Sequence, residues 1–182
     1  MAEKVFSQKG FVAAGISDVV HGLGISAGAL YYHFPSKQAL LEGIAERSIK
    51  KLCEQMDAWL EDEGLSPGEK MDLFFETISN RRRFKMKLAR IDFGKAREDV
   101  HANEMVVQTG LEPISERLAL FIEQGNATKE FKVQYPLSTA IIIFLMLTEF
   151  IHRSNRLEKI LPNDEIESSM RNSINQLLMR KQ

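Results

Sequence analysis

The sequence predicts an all-α chain built from a small N-terminal unit and a larger C-terminal one. Apolar residues recur at steps of three and four along most of the 182 residues, and the strict alternation of a half-buried strand is absent. The prolines, at 35, 67, 113, 136 and 162, fall near the edges of apolar runs, where a missing N–H costs little. The length suits one generous core or a small module joined to a larger one, and two unequal parts fit the pattern better.

The elements follow from these signals in order. A short helix is expected over about 2–9. The next, over 16–23, places Ile16, Val19, Val20 and Leu23 on one face, and Gly24 supplies the left-handed turn that ends it. Ser26 caps a third helix over 27–34, in which Leu30 and Phe34 face inward. A long helix over 37–62 follows. In "SPGE", Ser66 caps, Pro67 takes the first helical position and Glu69 reaches back to complete a capping box, starting a helix over 67–80. Further helices are expected over 82–93, 98–125 and 135–157. The last covers 164–181, where "DEIE", Asp164 to Glu167, repeats the capping logic. The seam between the two units falls inside or just after the long helix.

Composition removes several classes. Cys53 is the sole cysteine, which excludes an internal disulfide and a cysteine zinc cluster and suits a reducing cytosol. The most apolar run, Ala140 to Leu147, is far shorter than the ~20 residues of a membrane-spanning helix. The opening "MAEKVFSQKG" lacks the apolar stretch of a signal peptide, so the expected location is the cytoplasm. A formal net charge of -1 provides no global basic field.

Chemistry concentrates in "GISAGALYYHFPSK", Gly24 to Lys37. Two short helices, a glycine-containing turn and a second helix with one buried stripe make a helix-turn-helix. Its second helix leaves Ala27, Gly28, Ala29, Tyr31, Tyr32 and His33 largely outside. The small residues let the backbone approach a DNA groove closely, and the helix N-terminus favours phosphate. Tyr31, Tyr32 and His33 donate to phosphates or touch base edges, and Lys37 pairs with a phosphate as a point charge.

The stretch "GFVAAGISDVVHGLGISAGALYYHFPSKQALL" resembles the N-terminal DNA-binding domain of TetR-family transcriptional regulators. The matching positions are Gly10 and Phe11, Gly24 to Ser26, and Gly28, Leu30, Tyr31, His33, Phe34, Ser36 and Lys37, roughly the first quarter of the chain. The resemblance implies a homodimeric, all-helical, repressor-like protein without a cofactor. Its parts would be a three-helix DNA-binding domain over 1–45 and a helical effector-binding and dimerisation domain over 46–182. It further implies operator-backbone contacts from Tyr31, His33 and Lys37, with Ser26 and Gly28 at the helix start and Ala27, Ala29 and Tyr32 near base edges. The partners implied are a double-stranded DNA operator, a second copy of the chain and a small-molecule effector.

Three features depart from the family pattern. The chain starts partway along the family's usual first helix, without its basic arm. Residues 1–50 carry Lys4, Lys9, Lys37, Arg47 and Lys50 against Glu3, Asp18, Glu42 and Glu46, so the unit is barely basic. Phosphate contacts dominate affinity, and the expectation is weak or strongly salt-sensitive binding. Ala14 replaces a frequent capping hydroxyl, which leaves Gly15 as a weaker cap.

In the C-terminal unit, "YPLSTAIIIFLMLTEFIHRSN" is too apolar for a surface helix. The last helix carries a stripe of Ile166, Met170, Ile174, Leu177 and Leu178, interleaved with Ser169 and Ser173. By the resemblance these two helices pair with their symmetry mates, with Ile141, Leu145, Ile166, Met170, Ile174 and Leu177 at the interface. Burial within the chain's own domain is the plainer alternative. Phe74, Phe75, Ile78, Met86, Phe93, Met105, Phe121 and Phe144 suit an adaptable apolar effector pocket, although such residues at helical spacing are individually more often core. Arg81, Arg82 and Arg83 read as a solvated helix face, and Cys53 as an inert thiol.

Two other functional classes compete. Glu98 with His101 and Glu149 with His152 each form Glu-x-x-His, as used by ferritin-like di-iron enzymes. So loose a pattern arises readily by chance in an acidic helical chain. A helical dimer that has lost DNA binding and serves as an interaction module is the other alternative.

Overall fold

The computed structural model describes residues 14–88, 99–157 and 159–179. Among these residues the chain forms seven helices and no strand. They are α1 (Ile16–Leu23), α2 (Ala27–His33), α3 (Lys37–Glu61), α4 (Pro67–Leu88), α5 (Asp99–Ala127), α6 (Pro136–Leu157) and α7 (Asn163–Leu178). The expected helix over 2–9 lies outside the described residues.

Local chemistry explains most boundaries. The Gly15 N–H donates to the Asp18 carboxylate at 2.9 Å to open α1. Gly24, at φ 66°, ends it, with its N–H donating to the His21 carbonyl and that of Ile25 to the Val20 carbonyl. This pair of bonds satisfies carbonyls that the helix end leaves without partners. Ser66 and Glu69 form the expected reciprocal box: the Ser66 N–H donates to Glu69 Oε2 at 2.8 Å and the Glu69 N–H to Ser66 Oγ at 3.2 Å.

Three expectations are corrected. The helices foreseen over 67–80 and 82–93 are continuous as far as Leu88, because Asn80 to Arg83 contains neither glycine nor proline to break the chain. Asp164 does not cap α7. The helix starts at Asn163 behind Pro162, without a side-chain cap, and Asp164 lies in its first turn, where its charge suits the helix dipole. Pro113 stands inside α5 rather than at the edge of a run.

Two apolar clusters divide the molecule. The smaller holds Ala14, Val19, Leu30 and Leu40, with Ile16, Val20, Phe34 and Ile44 packed against it. Leu23, expected on that buried face, is 37% exposed at the last position of α1. The larger cluster gathers Ile49, Leu52, Cys53 and Met56 of α3 with side chains of α4 to α7. The long helix α3 therefore enters both clusters, its first turns in one and its remainder in the other.

Polar ties hold α3 against the larger unit. Arg117 of α5 grips Asp57 with two bonds, Nε to Oδ1 at 2.6 Å and Nη2 to Oδ2 at 2.8 Å, while Nη1 donates to the Pro113 carbonyl. Lys70 is buried, and its ammonium donates to the Leu60 carbonyl and to Gln124 Oε1. A cation at that carbonyl suits the negative end of α3. Arg171 of α7 pairs with Asp72 and lies 4.5 Å over the Phe75 ring, tying α7 to α4.

Candidate nucleic-acid interface

The interface is built by α2 and the junctions on either side of it. Ser26 Oγ accepts the Ala29 N–H at 3.1 Å, and Leu30, 4% exposed, anchors the helix on the small cluster. That single inward anchor, with half-buried Phe34 behind it, turns the other residues outward. Ser26, Ala27, Gly28, Ala29, Tyr31, Tyr32 and His33 are all exposed. Tyr32 projects furthest, at 85% exposure, and its ring meets that of His33 edge-on at 5.1 Å.

Lys37 occupies the first position of α3, half-buried, beside this surface in sequence. Ser36 caps that helix by accepting the Ala39 N–H at 3.0 Å. The sequence carried this signal, a serine between Pro35 and the helix start, and it fixes where Lys37 stands. The structure also adds polar groups that the sequence reading passed over. An open cleft of about 640 Å³ between α1 and α2 is lined by Ser17 and His21 as well as Ala27 and Tyr31. Exposed Ser17 and His21 thus flank the same face as the α2 residues.

The arrangement presents small residues at the start of a helix, aromatic hydroxyls and an imidazole further along, and a capped helix start beside it. Such a surface suits a groove with flanking phosphates: the backbone approaches closely while longer polar side chains reach the rims.

The other expected site residues are less gathered. Phe74, Phe75, Phe121 and Phe144 are buried in the larger cluster, Ile78 packs at its edge and Met105 is half-buried. Phe93 and the Met86 side chain lie outside the described residues. Of the stripe expected to meet a partner, Ile166, Met170 and Ile174 are buried within the chain itself. Their periodicity identified an apolar face correctly but not what covers it. Leu177 and Leu145 are exposed and Ile141 is half-buried, and Ile142, at 51% exposure, joins them. Glu149 pairs with Arg153 on an exposed face, while the Glu98, His101 and His152 side chains lie outside the described residues. Among the described residues no group of three or more metal-ligating side chains gathers, and no helix is long and apolar enough to cross a membrane.

Residues 1–44 match the family model of bacterial regulatory proteins of the tetR family. The HTH-type transcriptional regulator YerO of Bacillus subtilis is 41% identical over 59 residues, and UidR of Escherichia coli K12 is 35% identical over 60. Those stretches are 32% and 31% of this chain. The chain spans 20% and 31% of the length of these two curated relatives. The fold is similar over nearly the whole chain to that of the regulatory protein TetR from Rhodobacter sphaeroides, with a TM-score of 0.69 at 16% identity, covering 97% of this chain and 94% of that one. The regulator FadR from Bacillus subtilis, solved with stearoyl-CoA, gives the same TM-score and coverages at 14% identity.

Proposed function

We propose that this chain, a TetR-family protein by its first 44 residues, is a DNA-binding transcriptional regulator that works as a homodimer and as a repressor released by a small molecule. The observation that carries the reading is the outward row on α2, from Ala27 to His33, held by the single buried anchor Leu30. In this reading two copies of α2 enter successive major grooves of a near-palindromic site, about one helical turn apart. Tyr31, His33 and Lys37 hold the phosphate backbone, Ser26 and Gly28 admit it closely, and Ala27, Ala29 and Tyr32 meet base edges.

The separate apolar clusters support a division into a DNA-binding unit over 1–45 and an effector-binding and dimerisation unit over 46–182. Exposed Ile142, Leu145 and Leu177, with half-buried Ile141, support pairing of α6 and α7 with a second copy. The effector site is proposed among the apolar set from Phe74 to Phe144, of whose described members Ile78 and Met105 are incompletely enclosed.

Selection of bound sequences from random duplex DNA, at two salt concentrations, tests the reading. Enrichment of a near-palindrome, weakening steeply as salt rises, is expected. A chain that enriches no sequence at either salt concentration is instead the interaction module, and the regulator reading fails.

A further inference from the structure

Charge is scarce on the small unit. Over residues 14–44 the formally charged side chains are Lys37, Asp18 and Glu42, one cation against two anions. The other titratable groups in that stretch are His21, His33, Tyr31 and Tyr32. A duplex rewards cations, because each phosphate neutralised releases counterions. The two imidazoles can supply them: protonating both turns a net negative charge of one into a net positive charge of one. An imidazole ordinarily changes charge near about pH 6.5, whereas phenols do so only far above neutrality.

Both rings stand on the outside of the helix-turn-helix. His21 is exposed in the last turn of α1, one turn on from exposed Ser17, and the two line the cleft together with Ala27 and Tyr31 of α2. His33 is exposed in the last turn of α2, with the Tyr32 ring edge-on beside it. Each therefore sits at the carbonyl end of a helix, which suits a cation. Among the described residues neither ring is bonded to a carboxylate; Asp18, one turn before His21, accepts the Gly15 N–H. The long helix α3 packs against α1 and α2 through Leu40 and contributes half-buried Lys37 at its start, with exposed Glu42, Glu46 and Arg47 further along.

We propose that His21 is a further phosphate contact, made from α1 beside Tyr31 in the cleft, and that DNA binding by this chain takes up protons at His21 and His33, so that acid tightens it. The proposal rests on the regulator reading, which already gives Tyr31 and His33 to the phosphate backbone. A phosphate beside an imidazole favours the charged ring, so the complex holds more protons than the free chain and free duplex together. Affinity therefore rises as pH falls through the imidazole range, and it levels off once both rings are charged in the free chain as well.

Titration of the full chain against the selected duplex, at about pH 8 and about pH 5.5 and at several salt concentrations, tests the linkage. The parent is expected to bind about twentyfold more tightly at the lower pH, with a salt slope steeper by about 2. His21→Gln and His33→Gln each keep a polar side chain without the titration, and both positions are exposed, so the fold is kept. Each single variant is expected to reduce the pH ratio to about fivefold and the added slope to about 1, and the double variant loses both. A pH ratio that persists in the double variant overturns the linkage, and one that His21→Gln leaves at the parent value overturns the contact from α1. Equal affinity and equal slope at the two pH values overturn the proposal and leave the regulator reading standing. A chain that binds no duplex at either pH removes both.

Discussion

The Phe34 ring lies directly on Gly43: its Cε1 is 2.9 Å from the point where a Cβ at residue 43 would stand. This contact joins the end of α2 to the second turn of α3, and so fixes the exposed α2 surface on the long helix. Gly43→Ala gains about 1 kcal/mol of helix propensity but forces the half-buried ring to move, which costs about 1 to 3 kcal/mol. A net loss of about 1 kcal/mol is expected in thermal melting, with a drop in operator affinity measured at a temperature where the variant is fully folded. A variant that melts higher and binds as the parent does would mean that the ring has room to move.

Side chains at the rims and the centre of the α2 surface should differ in kind. Tyr31→Ala and Lys37→Ala are expected to weaken binding to all sequences alike, and Lys37→Ala to lower the salt slope by about 1. Tyr32→Ala and Ala29→Ser are expected to change which duplexes are preferred. Titration of each variant against the selected site and a scrambled duplex separates the two classes. Equal behaviour of all four contradicts the assigned roles.

The proposed subunit contact gives a paired prediction on α6 and α7. Ile142→Asp with Leu145→Asp places charges on exposed apolar positions and is expected to yield folded monomers by sedimentation, with little change in helicity. Ile174→Ala removes a side chain buried within the chain and should instead cost about 2 to 5 kcal/mol of stability. An Ile142 and Leu145 double variant that remains dimeric would remove this face of α6 from the interface.

Cys53 is buried against the large cluster, and burial pushes its thiol above the ordinary value, with the neighbouring Arg117 charge opposing. The folded state therefore holds the proton more tightly than the unfolded chain does. Its contribution to stability is full below the unfolded thiol value of about 8.5 and is lost as pH rises through the higher folded value. Native protein should react with a thiol reagent near neutral pH far more slowly than urea-unfolded protein. Equal rates would place the thiol at the surface.

The helix-turn-helix was legible because its determinants are local. Gly24 supplies a left-handed turn, Ser26 a cap and Leu30 the single anchor, and each acts within a few residues of itself. The break expected between 80 and 82 does not occur, because the chain contains no residue there that stops a helix. The α7 stripe was read as an apolar face, yet periodicity is blind to whether the cover comes from the same chain or another. The Asp57–Arg117 fork and the buried Lys70 link residues 60 and 54 positions apart, and no spacing rule reaches so far.

Whether α2 lies in a major groove is tested most directly by methylation interference on the selected duplex. Methyl groups on guanine N7 project into the major groove, and those on adenine N3 into the minor groove. The expected result is two clusters of interfering N7 positions about one helical turn apart, with no effect from N3. Interference confined to N3, or none at either position under conditions where the duplex is bound, would contradict the groove assignment and the roles given to Ala27 through His33.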